Sequence, residues 1–152
     1  MKQAAKKHLS EGETLERKPR VLVFDQDSGD LGRHSEAFEA QGFAVRRCMS
    51  VEKAIRYVER KRVDFALIDL GSPALEGLRV LKHLIRYNPC VPCVVTTRSG
   101  DMAGRREVST MGAMECFEKP VSGADLHSVI QKYLASLVKP RSRRKSPGST
   151  ET

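Results

Sequence analysis

Five short apolar runs, each followed by a stretch of helical spacing, constrain this chain more than any other feature. The runs fall at 21–24, 43–45, 65–68, 91–95 and 114–117. Most are rich in Val, Ile and Phe and nearly continuous, as strands buried on both faces of a parallel sheet are. Apolar residues then return at helical spacing. Residues 29–41 group Leu31, Ser35, Ala37 and Phe38 on one side, and 51–60 group Val51, Ala54, Ile55 and Val58. Residues 76–87 group Leu78, Leu81, Leu84 and Ile85, while 102–112 form a weaker pattern with Met102, Val108 and Met111. Residues 123–138 place Leu126, Val129, Ile130, Tyr133, Leu134 and Leu137 on one face. Ser122-x-x-Asp125 ahead of them resembles a capping box, with Asp in place of Glu. Five alternations predict an α/β (βα)5 fold: a doubly wound, parallel, five-stranded sheet with helices on both faces and right-handed crossovers.

Length and charge narrow the functional classes. The 152 residues suffice for one domain. No apolar run approaches the ~20 residues of a membrane helix, so no membrane association is expected. The charged N-terminus is followed by no apolar stretch, which excludes a secretory signal. Cys48, Cys90, Cys93 and Cys116 then read as reduced thiols in a cytoplasmic protein. The net charge of +8 belongs mostly to the ends: residues 1–20 carry +3, 139–152 carry +4, and 21–138 only +1. We read 1–20 as a mobile basic arm and 139–152 as a disordered basic tail around a domain at 21–138. A folded nucleic-acid-binding face is not implied. The tail lacks aromatics for stacking and offers at most weak, nonspecific contact with nucleic acid.

In such a sheet ligands bind beyond the carboxyl ends of the strands. The first run ends in Asp25-Gln26-Asp27, the third in Asp69, the fourth in Thr96-Thr97, and the fifth in Glu118-Lys119-Pro120. Carboxylates, a hydroxyl and an ammonium are thus expected to converge on one rim. Carboxylate and carbonyl oxygens suit Mg²⁺. An aspartate can attack phosphorus and form an aspartyl phosphate, a transfer that needs mainly positioning and charge neutralisation.

Over residues 20–138 the sequence resembles the receiver domains of two-component response regulators, the CheY-like family. The matching motifs are Val21-Leu-Val-Phe-Asp25-Gln-Asp27, Ile68-Asp69-Leu-Gly-Ser-Pro73-Ala-Leu-Glu-Gly77, Thr97-Arg-Ser-Gly100-Asp101, and Gly112-Ala113 followed by Phe117-Glu-Lys119-Pro120. The combination is more specific than any single piece. The resemblance, and not the pattern, implies the strand order 2-1-3-4-5. It implies Asp69 as phosphoryl acceptor, with Mg²⁺ held by Asp25, Asp69, the Gly71 carbonyl and, more weakly, Gln26. It implies Thr97 moving to bond the phosphoryl group, Lys119 pairing with its oxygens, and a cis bond before Pro120. The implied function is a single-domain response regulator in a phosphorelay, a switch more than an enzyme, with self-phosphorylation from small donors. Its partners would be a histidine kinase or phosphotransfer protein, and a downstream target at the face of the fourth helix, fifth strand and fifth helix.

Three positions depart from the family pattern. Gln26 stands where the family has a second metal-binding acid; a neutral amide oxygen is a weaker ligand for a hard cation. Asp27 lies next door, and its plainer role is to cap the following helix. Cys116 replaces the family's Tyr or Phe, and Phe117, one residue on, points to the other face of the strand. Arg98 replaces a small residue beside the pocket, where it could shield or bond the phosphoryl group. These departures keep an alternative open: a degenerate pseudo-receiver that acts as a phosphorylation-independent docking module.

Other features carry less. Cys90-x-x-Cys93 lacks a second pair for zinc and reads as a loop Cys and a strand Cys. His8, His34, His83 and His127 show no ligand spacing and read as surface residues. Gly29-Asp-Leu-Gly32 is not a dinucleotide fingerprint, and no phosphate loop of the GKS/GKT type is present. Arg56, Arg60, Lys61 and Arg62 read as charge complementing the C-terminal end of a helix dipole.

Overall fold

The computed structural model describes residues 18–71, 75–98 and 100–137. Five strands and five helices alternate: β1 (Arg20–Phe24), α1 (Ser28–Ala40), β2 (Ala44–Cys48), α2 (Val51–Arg60), β3 (Phe65–Asp69), α3 (Glu76–Tyr87), β4 (Cys93–Thr97), α4 (Met102–Met111), β5 (Glu115–Glu118) and α5 (Gly123–Leu137). The strands form one parallel sheet in the order β2-β1-β3-β4-β5. The doubly wound fold and its strand order are those expected. Most of the N-terminal arm, all of the C-terminal tail, Ser72-Pro73-Ala74 and Ser99 lie outside the described residues.

Capping residues place the helix starts. The Asp27 carboxylate accepts from Asp30 N at 3.0 Å, Ser50 Oγ from Lys53 N at 3.2 Å, and Asp101 Oδ1 from Gly104 N at 2.9 Å. Ser122 Oγ likewise accepts from Asp125 N at 2.9 Å. Each satisfies a backbone donor that the first helical turn leaves without a partner. Asp27 is therefore the cap of α1. Gly112, at φ 92°, closes α4 in the left-handed region that glycine adopts at no steric cost.

Two apolar layers flank the sheet. On one side α2, α3 and α4 bury Val51, Ala54, Val58, Val80, Leu84 and Val108 against Leu22, Phe24, Ile68 and Val95. On the other, α1 and α5 bury Leu31, Phe38, Leu126, Val129 and Tyr133 against Val21, Val23, Phe65 and Leu67. Inner strands β3 and β4 are buried along their whole length. The edge strand β2 differs from the short run expected at 43–45: it continues through Arg46 and Arg47, which are exposed, to the buried Cys48. An edge strand with a wet face has no need of continuous apolar sequence.

One expectation is corrected. His34 is not a surface residue; it is 1% exposed, on the α1 face that also buries Leu31, Ser35 and Phe38. Three- and four-residue spacing from Leu31 and Phe38 puts it on the inner side of the helix. Among the described residues its Nε2 has no hydrogen-bond partner. Burial holds the imidazole pKa below its ordinary value, and the Arg33 charge adds to this. Cys90 is exposed in a loop and Cys93 is buried in β4, so the pair is split as the sequence suggested.

Candidate functional site

The carboxyl ends of β1, β3, β4 and β5 bring Asp25, Asp69, Thr97 and Lys119 to one rim. Asp69, the last residue of β3, is side by side with Thr96 in the β3–β4 register, and Thr96 Oγ1 donates to Asp69 Oδ1 at 3.0 Å. Lys119 follows β5 directly and reaches back across the rim. Its Nζ lies 3.0 Å from Asp25 Oδ2, 2.9 Å from Asp30 Oδ2 and 3.4 Å from Asp69 Oδ1. The Lys119–Pro120 bond is cis.

The Thr96 hydrogen bond and the Lys119 ion pair meet the same oxygen of Asp69. Asp69 Oδ2 accepts no hydrogen bond among the described residues, and the residue is 8% exposed. The Lys119 ammonium lies beside the other oxygen, Oδ1.

Charge dictates the protonation pattern. Asp25 is 1% exposed; burial lifts its pKa to about 6, with the neighbouring Asp69 charge pushing the same way. The Asp27 backbone N–H, 2.9 Å from Asp25 Oδ1, and Lys119 oppose that rise without cancelling it. Burial would lower the Lys119 pKa, but hydrogen bonds to Asp30 and Asp25 and the charges of Asp25 and Asp69 hold it well above the usual lysine value. Asp30 goes the other way. Its partial burial would raise the pKa, yet Lys119 and the hydrogen-bonded Arg33 hold it below the usual carboxylate range.

Asp30 is the residue that sequence reasoning missed. It is an acid in the first turn of α1, a position normally explained by the helix dipole alone. No motif spacing ties it to Lys119, which is 89 positions later. Thr96, at its strand end, carries no role in the sequence reading; its hydroxyl holds the Asp69 carboxylate.

The remaining assigned residues also meet here. Gly71 follows β3 at φ 75°, and a side chain at that position would come within 3.3 Å of Gln26 Oε1. Gln26 therefore points its amide oxygen toward the Gly71 backbone. The Gly71 carbonyl accepts from Leu75 N at 2.9 Å, which leaves it a second lone pair. Gly77 packs against the other side of the acceptor: a Cβ there would lie 1.9 Å from the Asp69 carbonyl oxygen.

These donors fit a hard cation, with reduced charge. Asp25 and Asp69 supply carboxylates, and Gln26 and Gly71 supply neutral oxygens, the ligand types that Mg²⁺ takes. Among the described residues no three His, Cys, Asp or Glu side chains are arranged to hold a metal ion between them.

Thr97 is fully buried, and among the described residues its hydroxyl has no hydrogen bond of good geometry. Its polar neighbour is the Cys116 thiol. Burial raises the Cys116 pKa, and both the Arg105 charge and the Thr97 hydroxyl pull against that rise. Cys116 packs toward the α2–α4 layer, while Phe117 packs toward the α1–α5 layer. The ring next to Cys116 is thus on the wrong face to contact Thr97. Arg98 is exposed.

The open parallel sheet thus carries two buried acids, Asp25 and Asp69, and a lysine, Lys119, together at its carboxyl rim. The response regulator receiver domain model matches residues 21–131. The chain belongs to that family. It is similar to sporulation initiation phosphotransferase F of Bacillus subtilis, 24% identical over 115 residues, which are 76% of this chain and 93% of that protein. It is also similar to the transcriptional regulatory protein PrrA of Mycobacterium tuberculosis, 32% identical over 117 residues, and spans about half of that protein's length (50%). Among solved structures, a CheY-like receiver domain protein from Methanospirillum hungatei has a TM-score of 0.71 at 22% identity, covering 80% of this chain and 97% of the other. A response regulator from Burkholderia pseudomallei, solved with a phosphorylated aspartic acid, a calcium ion and citrate, has a TM-score of 0.63 at 22% identity, covering 80% and 74%. Among the described residues no helix is long and apolar enough to cross a membrane.

Proposed function

We propose that this receiver is a single-domain response regulator that accepts a phosphoryl group on Asp69 and switches partner binding. The observation that carries this reading is the pair of contacts on Asp69 Oδ1, a hydrogen bond from Thr96 and an ion pair with Lys119, which leaves Oδ2 without a hydrogen bond among the described residues. The match across 93% of a phosphotransferase supports a stand-alone role.

In this mechanism Asp69 Oδ2 forms a bond to phosphorus as the bond to the donor breaks. The donor is a phosphohistidine of a histidine kinase or phosphotransfer protein, or slowly a small acyl phosphate. Lys119 exchanges a carboxylate contact for a phosphoryl oxygen. Thr97 gains the partner that its buried hydroxyl lacks, and β4 shifts with it. Asp25, Asp69, Gln26 and the Gly71 carbonyl would hold Mg²⁺, which neutralises charge on phosphoryl oxygens when bound. Gln26 weakens that hold by one charge. The readout is the face formed by α4, β5 and α5. Because Cys116 carries no ring, Thr97 couples to that face through a small thiol. The setting is cytoplasmic, in keeping with free cysteines packed among apolar side chains.

The test is intact mass after incubation with acetyl phosphate and millimolar Mg²⁺. One phosphoryl group is expected on the parent and none on Asp69→Asn. Beryllofluoride should also perturb amide signals near Asp69, Thr97 and Lys119. If neither occurs while an Asp69→Asn chain still captures the same partner, the docking-module reading that rests on Gln26, Cys116 and Arg98 replaces this one.

A further inference from the structure

The net charge of +1 over residues 21–138 conceals a segregation that only the fold reveals. Residues 44–64 and 76–87, which hold β2, α2 and α3, carry ten Lys/Arg and four acids; the remaining described residues carry eight and eleven. One edge of the molecule is strongly basic, and the rim with the acceptor aspartate is acidic.

The basic charge is ordered. α2 buries Val51, Ala54 and Val58, and α3 buries Val80, Leu81 and Leu84. Opposite those faces, Lys53, Arg56 and Arg60 form one exposed stripe and Arg79, Lys82 and Arg86 another. The helices are packed side by side. Of the six cations only Arg79 has an ion pair, a long 4.0 Å contact with Glu52. None of the other five has an ion pair among the described residues.

Helix stability does not explain the stripes. A dipole favours cations in the last turn only. It accounts for Arg60 and Arg86 but not for Lys53 and Arg79, which sit near the unfavourable N-terminal ends. A protein partner is a poor fit too, because the centre of a protein interface is depleted of charge. Phosphates fit better. Seven residues of helix rise about 10 Å, and each strand of a duplex places one phosphate per ~3.4 Å of axis. Three cations on each stripe therefore match about three phosphates.

We propose that the paired outer faces of α2 and α3 form a docking surface for duplex nucleic acid, held by its phosphate backbone without reading sequence. The acidic rim repels the same polyanion and so fixes the orientation, with the phosphorylation pocket turned away. This binding does not depend on phosphorylation of Asp69.

The experiment is fluorescence anisotropy of the full chain with a labelled 20-bp duplex of mixed sequence, across a KCl series. Six phosphate contacts give a log–log salt slope of about −5. Replacing Lys53, Arg56 and Arg60 by Gln is expected to cut the slope by roughly half and weaken binding at least tenfold at low salt. The Arg79, Lys82 and Arg86 triple variant should do the same. Both variants should keep the parent melting temperature, since all six side chains are exposed. Replacing Lys139, Arg141, Arg143, Arg144 and Lys145 by Gln should leave most of this helix-dependent loss in place. The proposal is overturned if the helix variants bind like the parent, if only the tail variant loses binding, or if phosphatidylglycerol vesicles capture the chain while the duplex does not.

Discussion

Lys119 Nζ lies closer to Asp30 Oδ2, at 2.9 Å, than to the acceptor Asp69 Oδ1, at 3.4 Å. With Asp25 at 3.0 Å, three carboxylates share the one ammonium. Asp30 is the most exposed of the three carboxylates, so it is the contact most easily given up. Asp30→Asn removes a competitor for the amine and one negative charge near an incoming anion. Labelling of Asp69 by acetyl phosphate should quicken about fivefold, the equivalent of ~1 kcal/mol of barrier. A time course of intact mass checks it, and an unchanged or slower rate would show that Asp30 does not restrain Lys119.

Asp25 makes stability depend on pH in a direction unusual for a carboxylate. Its pKa is raised from 3.8 to about 6. Between those values the folded chain holds a proton that the unfolded chain has released, so this group's contribution falls as pH rises. At pH 7 the ionised, buried carboxylate costs on the order of 3 kcal/mol. Asp25→Asn should therefore melt several degrees higher than the parent at pH 7, with the gap closing near pH 4. His34 acts with the opposite sign, since its lowered pKa removes stability as pH falls. That contribution is common to both chains and cancels in the difference. Thermal melts at pH 4, 5, 6 and 7 decide the matter; a gap that widens toward acid contradicts the assignment.

Gly77 is held by backbone on more than one side. Besides the Asp69 carbonyl oxygen, a Cβ would meet the Asp69 carbonyl carbon at 2.8 Å and Leu70 Cα at 2.9 Å. Backbone atoms cannot step aside as a flexible side chain does. Gly77→Ala should cost about 3 kcal/mol or more and move the acceptor strand end. Gly32, in α1, has nothing within 4 Å of its Cβ position. Gly32→Ala should stabilise by about 0.5–1 kcal/mol. Urea midpoints of the two variants, shifted in opposite directions, are the expected outcome.

The sequence disclosed the parts of this molecule that obey local rules. Buried strands announced themselves because both of their faces are apolar, and the helices at 51–60 and 76–87 have the bounds that spacing predicts. Asp25, Asp69, Thr97 and Lys119 were legible because each terminates a strand of a parallel sheet. What escaped notice depends on distance through space. Asp30 looks like any first-turn acid until Lys119 folds back onto it. His34 looks polar, hence external, until Leu31 and Phe38 fix the inner side of its helix. The Lys/Arg residues of α2 and α3 look balanced by acids elsewhere in the chain, because a linear count cannot tell which charges share a face.

β5 pairs only with β4, and none of its four residues is fully buried. Lys119 is tethered to its end. A pull on that ammonium would therefore act on an edge of the sheet, where one row of backbone bonds resists displacement. Under the proposed phosphorylation, the buried inner strands would hold Asp69 in place while the edge strand gives way.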